Sequence, residues 1–211
     1  MAATEKTTRR TASKAARRQQ LIDATMKCIA RNGMGSTSIG DVASEAGLSQ
    51  GIVNLHFKSK DNLLNETLQH LSDEYTRQFD KVLQDAGADP ARKLRALMAL
   101  DFRASICDRR KLAVWFAFYG EVKSRPAYQR ICQNREARYD TVVEDLCKEI
   151  IRDGKYKSVS AKNASTTLFA LTNGLYLDRL VSPGAFDRHE AMGVIDEYLK
   201  NVFPKHFPLR D

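Results

Sequence analysis

Ser49, Gln50, Gly51 and Asn54 fall in one short stretch, residues 49–57, and their types suit the recognition of a base edge. The Gln50 amide offers one donor and one acceptor, the pattern adenine presents in the major groove, and Asn54 repeats that chemistry one helical turn later. Ser49 brings a hydroxyl for a phosphate, and Gly51 has no side chain to hold the backbone away from DNA. The stretch reads as a short helix, with Ser49 able to cap it and Ile52 and Val53 available to face inward. Such a helix fits the major groove, about 12 Å wide, with its first residues leading.

A second constellation spans residues 112–121, Leu-Ala-Val-Trp-Phe-Ala-Phe-Tyr-Gly-Glu. Helical spacing puts Trp115, Phe118 and Tyr119 on one face. With Tyr139 or Tyr176 from neighbouring helices and Glu121 nearby, they could enclose a quaternary ammonium by cation–π attraction, about 0.5–2 kcal/mol per ring. Most aromatic stripes of this spacing are simply hydrophobic core. Enzyme chemistry finds no support. His56, His70, His189 and His206 fall on separate elements, none with Cys or Glu at ligand spacing, and no glycine-rich phosphate loop follows a strand. No catalytic residue, metal site or cofactor is expected.

Of the formal charge of +8, most lies early: residues 1–60 carry ten lysines and arginines against four acids. A clustered positive field attracts nucleic acid or an acidic membrane surface and does not choose between them. A membrane-surface reading needs an amphipathic basic face, but the apolar positions of the first helix are required by its own core. The longest apolar run, residues 112–119, is too short to span a bilayer. The four cysteines form no C-x-x-C pair, as expected of free thiols in a reducing cytoplasm.

The elements that position these groups read as helices throughout. Residues 1–13 have nothing to bury and read as a disordered basic arm, serving the minor groove or merely solvated. Helices follow at about 14–32 and 39–46, then from Ser49 to His56 and from Ser59 to about Ala86. Asn32-Gly33 and Ala46-Gly47 supply stops. Asp89-Pro90 predicts a fifth helix to about Ile106; others cover 109–122, the stretch from Pro126 to Gly154, 160–181, and from Asp187 to before Pro204. The expected fold is all-α with about nine helices. It comprises a helix-turn-helix DNA-binding head over residues 14–58 and a helical bundle over 59–211.

Residues 46–51, Ala-Gly-Leu-Ser-Gln-Gly, and 57–63, Phe-Lys-Ser-Lys-Asp-Asn-Leu, resemble the head of the TetR family of transcriptional repressors. The resemblance implies phosphate contacts from Ser38, Ser49, His56 and Lys60, and places Gln50, Gly51 and Asn54 near bases. His56, standing like Asn54 where the family often has Tyr, also reads as a partly buried helix-end residue. Behind such a head the family carries a domain that senses a small-molecule effector and dimerises. The chain is thus expected to be a cytoplasmic homodimer on double-stranded DNA at a palindromic operator. The resemblance implies that the last two helices pair across the dimer axis, with Leu168, Leu175, Ile195 and Leu199 as the expected seam. Residues 51–54, 115–118 and 171–177 look like the BetI branch, whose repressors control betaine synthesis from choline. That implies choline or a similar amine as effector; an unrelated hydrophobic ligand of another pathway is the alternative.

Overall fold

The computed structural model describes residues 2–208, with side chains from Lys14 onward, so the basic arm expected over 1–13 lies outside the fully described part. The described residues form helices α1 (Ala2–Asn32), α2 (Ile39–Glu45), α3 (Gln50–Phe57), α4 (Lys60–Asp85) and α5 (Pro90–Asp101). They continue as α6 (Arg109–Glu121), α7 (Pro126–Gly154), α8 (Ala161–Val181) and α9 (Arg188–Val202), without a strand. Two compact units result, Met1–Leu71 with Ala113–Gln129, and Ser72–Leu112 with Arg130–Asp211.

In the first unit α1 packs on α2, and α2 on α3. Ser38 and Asp41 close a capping box at the start of α2: the Asp41 amide donates to Ser38 Oγ (3.1 Å) and the Ser38 amide to Asp41 Oδ2 (2.8 Å). The hydroxyl and amide of Ser38 hold the Asp41 carboxyl below its ordinary range. Gly47 then turns the chain with φ +64°, and the Leu48 amide returns to the Ala43 carbonyl at 2.9 Å. Because a Cβ is strained at that φ, Gly47→Ala is expected to cost about 1–2 kcal/mol. Urea denaturation of the variant checks this.

Val53 and Phe57 anchor α3 in the core. Arg18 of α1 locks its end by donating to the His56 carbonyl (2.9 Å), pairing with Glu66 of α4 and lying 4.7 Å over the Phe57 ring. The structure corrects one expectation here. Ser49 occupies the N-cap position, but its hydroxyl makes no capping bond; its main-chain carbonyl receives the amides of Ile52 and Val53. The side chain is left exposed.

In the second unit, α5 starts as expected, with Asp89 accepting from the amides of Ala91 (2.8 Å) and Arg92 (3.3 Å). It ends at Asp101 rather than near Ile106. In a longer helix the Asp101 carbonyl would receive the amide of residue 105, but it accepts the Tyr176 hydroxyl at 3.0 Å instead. Turns then carry the chain to Asp108, which caps α6 through the Lys111 amide (3.1 Å).

α9 packs on α5 and α8, with a bidentate pair from Arg95 to Asp196, both contacts 2.8 Å. The expected dimer seam is corrected at residue level. Leu168, Ile195 and Leu199 are fully buried and Leu175 is half-buried within a single chain, so they fill this chain's own core. The apolar surface of α8 that remains bare is another stripe: Ala170, Gly174, Leu177 (50% exposed) and Val181 (71% exposed), spaced at 4, 3 and 4 residues. Val194 of α9 is also exposed. This explains why α8 is apolar nearly all round: one side fills the core and the other stays uncovered.

Candidate nucleic-acid interface and effector centre

The outer face of α3 and the start of α2 expose Ser38, Ser49, Gln50, Gly51 and Asn54 together, while His56 and Lys60 are half-exposed. Gln50 rests across the start of α2. A methyl group at Gly40 would lie 3.1 Å from Gln50 Nε2, so the absent side chain there lets the amide settle against the backbone. Leu55 escaped the sequence reading. It is 74% exposed on the same helix, an apolar side chain suited to a thymine methyl. Only the orientation of α3 separates it from the inward-facing Val53, so no spacing rule could have found it.

Burial lowers the affinity of His56 for a proton, and Arg18, Lys14 and Arg17 lower it further. Both effects favour the neutral ring, and its Nδ1 is buried without a hydrogen-bond partner. Arg18 is committed to Glu66 and the His56 carbonyl, and Lys27 and Arg31 pair with Glu45. Part of the basic excess of the head therefore holds its helices together.

The six residues grouped as an effector cage divide between the units. In the first, Trp115 stands edge-on to Tyr119 with centroids 5.2 Å apart, and Phe118 edge-on to Tyr128 at 4.9 Å. Glu121 pairs with Arg125 (3.7 Å) and accepts the Ser124 hydroxyl (3.3 Å), while Arg125 reaches Asp61 at the start of α4 (2.9 Å). Trp115 and Phe118 are buried there as core side chains.

In the second unit, Tyr139 and Tyr176 belong to a buried centre that the sequence did not reveal, built around Asp101. The Tyr75 hydroxyl donates to Asp101 Oδ1 (2.9 Å) and the Tyr176 hydroxyl to the Asp101 carbonyl (3.0 Å). Tyr139 lies against Phe79 (6.4 Å) and Phe169 (5.6 Å), its hydroxyl 3.8 Å from the Met98 sulfur. The Arg135 guanidinium sits 4.1 Å over the Tyr75 ring. Burial raises the Asp101 pKa to about 6, against the opposing pull of Tyr75, Arg135 and Tyr176. Burial and the Asp101 charge push all three tyrosines well above their ordinary range, so they remain neutral donors. One signal was available: a lone acid, Asp101, within the otherwise apolar stretch 97–102.

Comparison with known proteins completes the picture. Residues 21–67 match the family model for bacterial regulatory proteins of the tetR family, and residues 90–204 match the C-terminal model of the BetI-type transcriptional repressor. The chain is 33% identical over 187 residues to the HTH-type transcriptional regulator BetI of Paraburkholderia xenovorans, covering 88% of this chain and 93% of that one. A putative transcriptional regulator from Pseudomonas aeruginosa superposes with a TM-score of 0.79 at 25% identity, over 93% of this chain and 95% of its own. A putative regulator from Saccharomonospora viridis, solved in complex with choline, superposes with a TM-score of 0.78 at 21% identity, over 88% and 96%. The exposed polar row on α3, the all-helical fold behind it and these matches together make the chain a transcriptional regulator of the TetR family, not an enzyme, with a BetI-type C-terminal region.

Proposed function

We propose that this regulator represses transcription as a cytoplasmic homodimer on a palindromic operator and responds to a small quaternary amine, choline or a relative of it. Residues 14–58 act as the DNA-binding domain and 59–211 as the sensing and dimerising domain. The observation that carries the DNA reading is the row of exposed polar groups on one short helix, held by a buried Val53 and Phe57 beneath it. Gln50 and Asn54 read base edges, Gly51 allows close approach, and Ser38, Ser49, His56 and Lys60 hold phosphates.

Two heads on a twofold axis would meet half-sites about 34–36 Å apart. The second copy would seat on the uncovered stripe of α8, Ala170, Gly174, Leu177 and Val181, which suits a helix from a twin chain; Val194 of α9 is exposed as well. The small residues in that stripe permit close approach. The amine reading draws on the BetI-named relatives and on the choline held by the Saccharomonospora viridis neighbour. An amine shifts the regulator between states only by its difference in affinity for them.

Selection of binding sites from genomic fragments, with and without choline, tests the whole reading. On the selected operator, Lys60→Ala is expected to weaken every sequence alike and flatten the salt slope by about 0.9. Gln50→Ala is expected to cost about 1–3 kcal/mol at one base pair and to relax specificity there. Equal losses on all sequences for both variants would sink this division of roles.

A further inference from the structure

The geometry assigns the Asp101 centre as a binding site for a small organic cation, with the Asp101 carboxylate as counter-ion and the rings of Tyr75, Tyr139 and Tyr176 around it. The assignment rests on the effector reading above and adds to it the location and the charged group that selects the ligand.

Asp101 is 2% exposed, and its Oδ2 is buried without a hydrogen-bond partner. A buried carboxylate with an unused acceptor is costly unless a cation or donor meets it. Its position compounds the cost. Asp101 is the last residue of α5, where the unpaired carbonyls already carry partial negative charge. An acid there opposes the helix dipole, and both fields favour a positive guest. The Tyr75 bond and the Arg135 charge offset only part of this cost, since Oδ2 still has no donor, and a local rule broken in the interior points to function.

The surroundings suit an alkylammonium rather than a metal ion. Aromatic rings from three helices converge: Tyr75 on α4, Tyr139 on α7 and Tyr176 on α8, with Phe102 6.2 Å from Tyr176. The Tyr75 ring already holds one cation on a face, the Arg135 guanidinium. The Tyr139 hydroxyl meets only the Met98 sulfur among the bonds described, so its ring gives up the least hydrogen bonding on making room for a guest. Thr172, one turn before Tyr176 on α8, has a buried hydroxyl without a partner, ready for an alcohol next to the ammonium. Glu121, the acid first grouped with the aromatic cage, is by contrast already engaged by Arg125 and Ser124.

Calorimetric titration of the full-length protein at about pH 7.5 tests the assignment, using choline, tetramethylammonium, betaine and the uncharged choline isostere 3,3-dimethylbutan-1-ol. Choline and tetramethylammonium are expected to bind, and the neutral alcohol and the carboxylate-bearing betaine at least about tenfold more weakly. Asp101→Asn keeps an acceptor for the Tyr75 hydroxyl and is expected to lose about tenfold or more in choline affinity; Tyr139→Leu, which spares both hydrogen bonds to Asp101, is expected to weaken choline similarly. Wild-type affinity should also fall as acid protonates Asp101 below about pH 6, a dependence absent from Asp101→Asn; Tyr75, Arg135, Tyr139, Tyr176 and Cys107 are the other ionisable groups facing it. Choline binding that survives unchanged in both variants, or that ignores pH between about 7.5 and 5 in the wild type, overturns this site and leaves the amine reading standing. Failure of the wild type to bind any of the ammonium compounds overturns both.

Discussion

The double variant Leu177→Asp/Val181→Asp is expected to be monomeric in solution and to bind operator at least about 100-fold more weakly than the wild type. Both side chains lie on the bare stripe of α8, four residues apart on one face, and each is at least half exposed in a single chain. Replacing them with acids leaves the protomer core untouched, but every copy brought onto the axis must then bury like charges against each other. The effective penalty for burying an unpaired ion is several kcal/mol, more than such a stripe can offset. Once the heads are uncoupled, the second half-site no longer gains from the first, which removes the avidity of the pair. Leu199→Ala is the matched control. Its fully buried side chain predicts a loss of about 2–5 kcal/mol in folding stability and no specific effect on association. Sedimentation velocity and thermal melts of both proteins decide the matter. A dimeric Leu177/Val181 variant, or a stable but monomeric Leu199 variant, would return the interface to the buried face.

The second large effect concerns stability and pH. The Asp101 pKa rises from 3.8 to about 6 on folding, chiefly through burial. The folded chain thus holds this proton more tightly than the unfolded one. The contribution of Asp101 to stability is fully present below about pH 4 and is lost as pH rises through about 6. At about 1.36 kcal/mol per pKa unit, the loss across that window approaches 3 kcal/mol. Asp101→Asn has no proton to lose. Its stability relative to wild type is therefore expected to climb by about that amount between about pH 4 and 7.5, reduced by whatever the unpaired amide costs. Chemical denaturation of the two proteins over a pH series measures it. A difference that stays flat with pH would show that Asp101 is not held in the raised state.

Asp101, an acid that lowers the stability of the unliganded protein near neutral pH, stands where four helices meet. A cation binding there would recover part of that cost, so ligand and stability are linked: amine should raise the melting temperature of the wild type and not of Asp101→Asn.

The sequence by itself determined the helical character of the chain and the local geometry at several helix starts. Ser38-x-x-Asp41, Gly47, Ser59 and Asp89-Pro90 act within a few residues, so the bonds they make in the structure are the bonds their types require. That Ser49, Gln50, Gly51 and Asn54 share one exposed surface was legible for the same reason, since they lie in one helical turn and a half. Local rules still misassigned the Ser49 hydroxyl, because a cap position does not dictate whether a side chain turns inward. What only the tertiary structure decided is which apolar face of α8 and α9 fills the core, where α5 stops, and what surrounds Asp101. Periodicity reports that a face is apolar but not what covers it, so Leu168, Ile195 and Leu199 were expected at the seam although they fill the core. The Asp101 centre joins residues 75, 101, 139 and 176, which are far apart along the chain and meet only when four helices pack; no local pattern carries that information.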